Sequence, residues 1–284
     1  MSVVAQHSPA ALARGSRPIP LGRWALNGMA GLALGYILLP LVLVTWLAFF
    51  RQEIPSFPPE GYSLKWFGAV LNNKSFVSGF LLSFQTGVAA TLIGLTLAVP
   101  ASLAIARRQF RGRGLVNALL LMPLIVPGVV LGPSIYVFQI ETEIATGLPL
   151  LGTTAGLIAA HVLIVVPWAA RLVSASLAGF DPAIEEAAKN LGATPWTTFW
   201  RITLPAIRPG IVAGALFGFV TSFGNLEMSL FLVGAGRTTL PIAILQYLEW
   251  KIDPTVAAVS VMQIALIGAA MMITDRYVKI ARVV

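Results

Sequence analysis

The sequence predicts an all-α membrane protein with six transmembrane helices and a polar loop between the fourth and fifth. Three observations predict it. Of 284 residues, 57% are hydrophobic and only 11% charged, with a mean hydropathy of +0.84, whereas about a quarter of a soluble domain is charged. The apolar residues gather in six long runs, and the basic residues lie in short pieces between them. A net charge of +8 so distributed reads as membrane orientation, not as a solvated surface for nucleic acid. With no cysteine and two histidines, His7 and His161, disulfide scaffolds, thiol catalysis and Cys/His zinc sites have no support.

Residues 1–23 hold Pro9, Pro18, Pro20 and three arginines, the composition of a flexible polar tail. Residues 24–50 carry no charge over 27 positions, too long for the apolar core of a signal peptide and long enough to span a bilayer. A turn-rich stretch follows, with one amphipathic piece around Lys65 (Leu64, Trp66, Phe67, Val70, Leu71) expected at the membrane surface. The second span is expected over 76–106, ending at Arg107, Arg108, Arg111 and Arg113. The third, 115–138, contains Pro123, Pro127 and Pro133, so an irregular helix is expected there. Spans at 152–173, 210–233 and 256–273 complete a transmembrane domain over 24–277, before a short tail at 278–284.

Six spans put both termini on one side of the membrane. That side follows from the basic residues: the N-terminal tail, the loop after span two, the island after span four with Arg171 at its edge, and the residues after span six, Arg276 included, hold fourteen of the nineteen Lys and Arg. Both termini and the island are therefore expected in the cytoplasm.

The island, residues 180–209, has its own grammar. Asp181-Pro182 is a helix start and residues 183–191 are strong helix formers. Gly192 is placed to take the left-handed conformation that ends a helix. Thr194-Pro195 repeats the start signal, and a second helix is expected from Trp196 to Leu204, stopped by Pro205 and Pro209. Ala187, Ala188 and Leu191 offer a small, apolar surface, with Glu185, Glu186 and Lys189 as a charged edge. The result is a helix–glycine–helix knob.

Within the island Glu186, Ala187, Ala188, Gly192, Ile202, Leu204 and Pro205 follow the pattern EAA-x3-G-x9-I-x-LP. With FRGRG after span two, MPLIVP at the start of span three and LPIAILQYLEWKIDPTVAAVS before span six, the chain resembles the permease subunits of type I ATP-binding-cassette (ABC) importers. It is most similar to the spermidine/putrescine permease family. The resemblance implies that Glu185, Glu186, Ala187, Ala188, Gly192, Ala193, Thr194 and Pro195 couple the chain to a cytoplasmic ATPase present as two copies. It also implies a second, related permease subunit, an external substrate-binding protein and a place in the cell (inner) membrane. No cofactor is expected on this chain; ATP and Mg belong to the partner. A phosphate-cradling GxxxxGK[ST] loop is absent, since none of the five lysines follows a glycine. The chain is expected to be a transport subunit and not an enzyme.

Polar groups inside spans are functional candidates by default. Gly210, Gly214, Gly218, Ser222 and Asn225 form one stripe at helical spacing. Ser222 and Asn225 either line the solute path or belong to packing. Glu227 lies about 200° from Asn225 around a regular helix, so it shares that face only if the helix breaks at Gly224. It either attracts a cationic solute or pairs inside its own bundle, with His161 as a possible partner. Related polyamine permeases often carry adjacent acids here, where this chain has Gly224 and Asn225. Glu141 and Glu143 have no nucleophile or metal partner near them in sequence and read as a solvated external lip. The expected solute is small, polar and amine-bearing, such as a polyamine; phosphonate, amino-acid-like and ferric-ion importers have similar permeases. A polytopic enzyme lacks any catalytic set in the sequence, and an ion-coupled carrier leaves the EAA pattern unexplained.

Overall fold

The computed structural model of the chain describes residues 21–278, and the tails expected at 1–20 and 279–284 lie outside those residues. Regular structure among the described residues is helical, with one isolated antiparallel bridge between Phe50 and Tyr62. The chain divides into two units after Val44. The first is the body of α1 (Leu21–Leu47), whose residues 24–43 are all exposed. So much outward apolar surface needs lipid or another subunit to cover it.

In the second unit, α2 (Lys65–Asn72) lays Trp66 and Val70 inward, and the Trp66 indole donates to the Phe50 carbonyl at 2.6 Å. The Asn73 side chain then caps α3 (Lys74–Arg107) by accepting from the N–H groups of Ser75 and Phe76. At 34 residues α3 is about 50 Å long, well beyond the roughly 30 Å hydrocarbon core of a bilayer.

The third apolar run is not one irregular helix. It is α4 (Arg113–Leu121), a 3-10 turn at Met122–Leu124 and α5 (Gly128–Thr146), bent by 105°. The prolines explain the position of the break: Pro127 holds ψ at 136°, outside the helical range, and restricts Val126 before it. A capping Thr153, accepting from the Gly156 N–H, opens α6 (Thr154–Ala178).

Next come α7 (Ala183–Asn190), α8 (Pro195–Thr198), a π turn at Phe199–Thr203 and α9 (Leu204–Phe223). The expected stop at Pro205 and Pro209 does not occur. The π turn shifts the bonding register just before Pro205, so the missing proline donor falls in the first turn of α9, and the rod runs on from Pro195 to Phe223. The fifth run ends at Phe223, ten residues short of expectation. A turn leads to α10 (Ser229–Leu232), then α11 (Leu240–Trp250) and α12 (Thr255–Val278). Among the described residues five helical rods are long and apolar enough to cross a membrane, or six if the bent pair is one span.

The centre of the unit is the contact of α3, α6 and α9. Small residues bring the backbones together: a Cβ at Gly214 would stand 3.1 Å from the Ala169 Cα, and one at Gly218 2.8 Å from a Val165 methyl. Most of the α9 glycine stripe is therefore a packing seam against α6. A second cluster, Phe76, Phe223, Leu240, Ala258 and Val259, holds α3, α9, α11 and α12 together.

Candidate functional site

The candidate residues of the sequence fall at two places in this scaffold: the knob between α6 and α9, and the break at the end of α9.

Local signals build the knob. The Asp181 carboxylate accepts from the Ala183 N–H at 2.9 Å and starts α7. Gly192, at φ +84°, ends it. Its N–H donates to the Lys189 carbonyl at 2.9 Å and that of Ala193 to the Ala188 carbonyl at 3.0 Å, the bonding pair of a Schellman cap. Thr194 then accepts from the Thr197 N–H at 3.2 Å, with Pro195 in the first helical position. Two short helices thus meet at a glycine corner. Leu191 is 89% exposed and Trp196 70%, beside exposed Ile184, Glu186, Ala187 and Trp200. Large apolar side chains so displayed need a partner surface.

Glu185 does not belong to the exposed charged edge. It is 6% exposed, ion-paired with Arg107 at the end of α3, and accepts a hydrogen bond from the Thr203 hydroxyl in the π turn. In the sequence Arg107 is one of a run of orienting arginines, and nothing there marks it as the partner of Glu185. Its partner lies 78 residues away, and no spacing rule reaches that far.

The break begins at Gly224. Asn225 is half-buried, its side chain accepting from the Met228 N–H at 3.0 Å, so it restarts the chain toward α10. Ser222 is buried beside His161, with 2.7 Å between its Oγ and the imidazole Nδ1. The other ring nitrogen, Nε2, lies 3.1 Å from Ser229 Oγ, which donates to the Asn225 carbonyl at 2.8 Å. Because the Ser229 proton is committed to that carbonyl, its oxygen accepts from Nε2–H. A neutral ring then takes the Ser222 proton on Nδ1. His161 is a satisfied staple between α6, α9 and α10, and both its nitrogens are occupied by serines, so it is not the partner of Glu227.

The helix does break at Gly224, and it turns Glu227 outward. Glu227 is exposed, and its carboxylate stands where a Cβ on Gly128 would be. Gly128 is the first residue of α5, so the acid lies at the positive end of that helix. One turn on, a Cβ at Gly132 would come within 3.3 Å of the Met228 Cα. The two discontinuities of the bundle, in the third apolar run and after α9, therefore meet face to face around Glu227. Of the three path candidates, Ser222 and Asn225 are committed to internal bonds, and Glu227 presents its carboxylate. Glu143 instead caps the loop after α5, accepting from the N–H groups of Leu150 and Leu151 at 3.2 Å each.

A packed set of apolar rods, two broken helices meeting within them and a protruding apolar corner define a membrane subunit of a solute transporter. The chain belongs to the family of binding-protein-dependent transport system inner membrane components, whose profile matches residues 90–280. It is 31% identical over 209 residues to the putrescine transport system permease protein PotI of Escherichia coli (strain K12), covering 73% of this chain and 74% of that one. To the molybdenum transport system permease protein ModB of Mycobacterium tuberculosis (strain ATCC 25618 / H37Rv) it is 31% identical over 268 residues, 90% and 94% of the two chains. To the spermidine/putrescine permease protein PotC of Escherichia coli (strain K12) it is 28% identical over 253 residues, 87% and 90%. Two solved structures share the fold: a bacterial ABC transporter involved in alginate import (TM-score 0.68, 15% identity, 92% of this chain and 98% of that one) and the inward-facing MetNI methionine ABC transporter (TM-score 0.61, 22% identity, 72% and 95%). The chain is a multi-pass permease of an ABC importer of the inner membrane: a transport component and not an ATPase.

Proposed function

We propose that this chain forms one wall of the solute path of its importer and is driven through the knob. The exposed corner of Leu191, Gly192 and Trp196 docks in a cleft of a cytoplasmic ATPase subunit, two copies of which bind and hydrolyse Mg-ATP. A second, related permease completes the path, and an external binding protein delivers the solute. The knob and both termini lie in the cytoplasm, in keeping with fourteen of nineteen basic residues on that side. The observation that carries this reading is the self-capped glycine corner with its bare apolar side chains. Co-purification tests it. The tagged chain is expected to bring an ATPase subunit out of the membrane, and Leu191→Asp to release it; capture that survives Leu191→Asp overturns the docking.

For the solute we propose an amine-bearing polar compound of the polyamine class. Two relatives transport putrescine or spermidine by name, and Glu227 places an exposed carboxylate where the two helix breaks meet. A molybdenum oxyanion is the second reading, favoured by a relative that matches over 90% of the chain. Uptake of labelled putrescine and labelled molybdate into cells with and without the chain separates them. Chain-dependent accumulation of putrescine, uncompeted by molybdate, is the expected result; the reverse establishes the oxyanion.

A further inference from the structure

Of the three acids of the knob, Asp181, Glu185 and Glu186, the fold buries one. Glu185 receives the guanidinium of Arg107 from the last turn of α3 and the hydroxyl of Thr203 from the π turn. Arg107 also lies over the Phe180 ring, 5.6 Å from its centroid. One cluster therefore touches the link that enters the knob, the first knob helix, the rod that leaves it and the end of the longest helix in the unit.

Stability alone does not call for an ion pair here. The pair is open to solvent at its Arg107 end and covered only at Glu185, and ion pairs that solvent screens contribute little. Beside the cluster lies a cavity of about 300 Å³, lined by Leu103, Arg108, Lys189 and Phe199 among others. Apolar packing thus leaves the space between α3 and the knob open, and the polar contacts are the tie across it. The helices so tied run to the region of Glu227 in close contact: a Cβ at Gly87 of α3 would stand 3.1 Å from the Phe219 ring of α9.

We propose that Arg107, Glu185 and Thr203 form a latch that makes the knob move as one body with the adjoining ends of α3 and α9. A push on the knob then reaches the helices at the centre of the unit instead of being absorbed by rotation at residues 179–182. Arg107 and Glu185 touch neither nucleotide nor solute; they are positioning residues for energy coupling. This inference rests on the docking of the knob proposed above.

The test uses the assembled transporter reconstituted with its ATPase and binding protein, with solute moved per ATP hydrolysed as the readout. The pair Arg107→Met with Glu185→Gln removes both charges without stranding either. A merely structural pair predicts that this double variant transports like wild type. The latch predicts normal ATPase capture, hydrolysis within twofold of wild type, and solute per ATP lower by tenfold or more. Arg107→Lys, which keeps the charge, is expected to fall between. An unchanged ratio in the double variant overturns the latch, as does loss of ATPase capture in both the double variant and Arg107→Lys. Leu191→Asp run alongside keeps the two ideas separate: if it captures ATPase normally the docking reading fails, whatever the latch variants do.

Discussion

The knob and the helix break both interrupt long helices, and they are held by opposite means. The knob caps itself: Asp181, Gly192 and Thr194 satisfy its helix ends within fourteen residues of chain. The break has one local cap, Asn225, and is otherwise held from outside, by His161, 61 residues before Ser222, and by the close approach of α5 at Gly128. The difference separates shape from support. A self-capped knob keeps its form while its scaffold moves, as a lever must. A break pinned by its neighbours responds when they shift, as a gate must.

The largest expected effect tests the outside support. His161→Ala leaves the buried Ser222 hydroxyl without its acceptor, at about 1–3 kcal/mol for an unsatisfied group, while Ser229 keeps its bond to the Asn225 carbonyl. In detergent the thermal midpoint should fall by several degrees, at about 2–4 °C per kcal/mol for a chain of this size. ATPase capture by the knob should stay at the wild-type level. His161→Gln, which keeps a donor and an acceptor, should recover part of the loss. A midpoint unchanged in His161→Ala would show that the break caps itself after all.

The next tests the self-capped knob. A Cβ at Gly192 meets nothing within 4 Å, so space is not the issue there; the backbone angle is. A β-branched residue held at φ +84° costs about 1–2 kcal/mol, so Gly192→Val should open the corner. ATPase capture should weaken by about tenfold, the equivalent of about 1.4 kcal/mol, with membrane insertion and thermal midpoint unchanged. Gly192→Asn, which tolerates the left-handed region, should stay within about threefold of wild type. Equal behaviour of the Val and Asn variants would count against the capping account.

The same contrast decides what was legible in the sequence. Asp181-Pro182, Gly192 and Thr194-Pro195 announce the knob because a helix cap is local chemistry, and the structure places each as read. The EAA spacing and the apolar runs led to the family and to an all-α membrane fold for the same reason. Where a partner far along the chain decides, the reading failed. Pro205 and Pro209 read as a stop, because nothing in one segment reveals that a π turn will absorb the first of them. Glu185 read as an exposed edge, because Arg107 reaches it only after α3 and α7 have packed. Gly224 is the one place in the sequence where a break would free Glu227, but His161, which bonds to both sides of it, comes from another helix. The 105° bend lies at Pro127, and α5 beyond it lies against Met228 and Phe231, partners about a hundred residues away.

A smaller effect is expected at the face the break exposes. Glu227→Gln removes a charge that is neither buried nor ion-paired in the structure, so stability and assembly should not change. Uptake of a cationic solute should fall by about fivefold, the equivalent of about 1 kcal/mol, and uptake of an oxyanion should not fall. Gly128→Ala drives a methyl into the place of the Glu227 carboxylate, and it should produce a transport defect of the same kind. A Gly128→Ala protein that transports normally would show that the two breaks separate during the cycle and that their meeting belongs to one state only.

The smallest effect separates Asn225 from its neighbour two positions on. Its side chain accepts from the Met228 N–H and so caps the turn into α10. Asn225→Ala should cost about 1 kcal/mol, a shift of about 2–4 °C in the thermal midpoint. The ratio of putrescine to molybdate uptake should remain that of wild type, because the amide's acceptor oxygen is committed to the backbone. A changed ratio with an unshifted midpoint would return Asn225 to the solute path. The outer face of the break would then include the residue that shapes it from within.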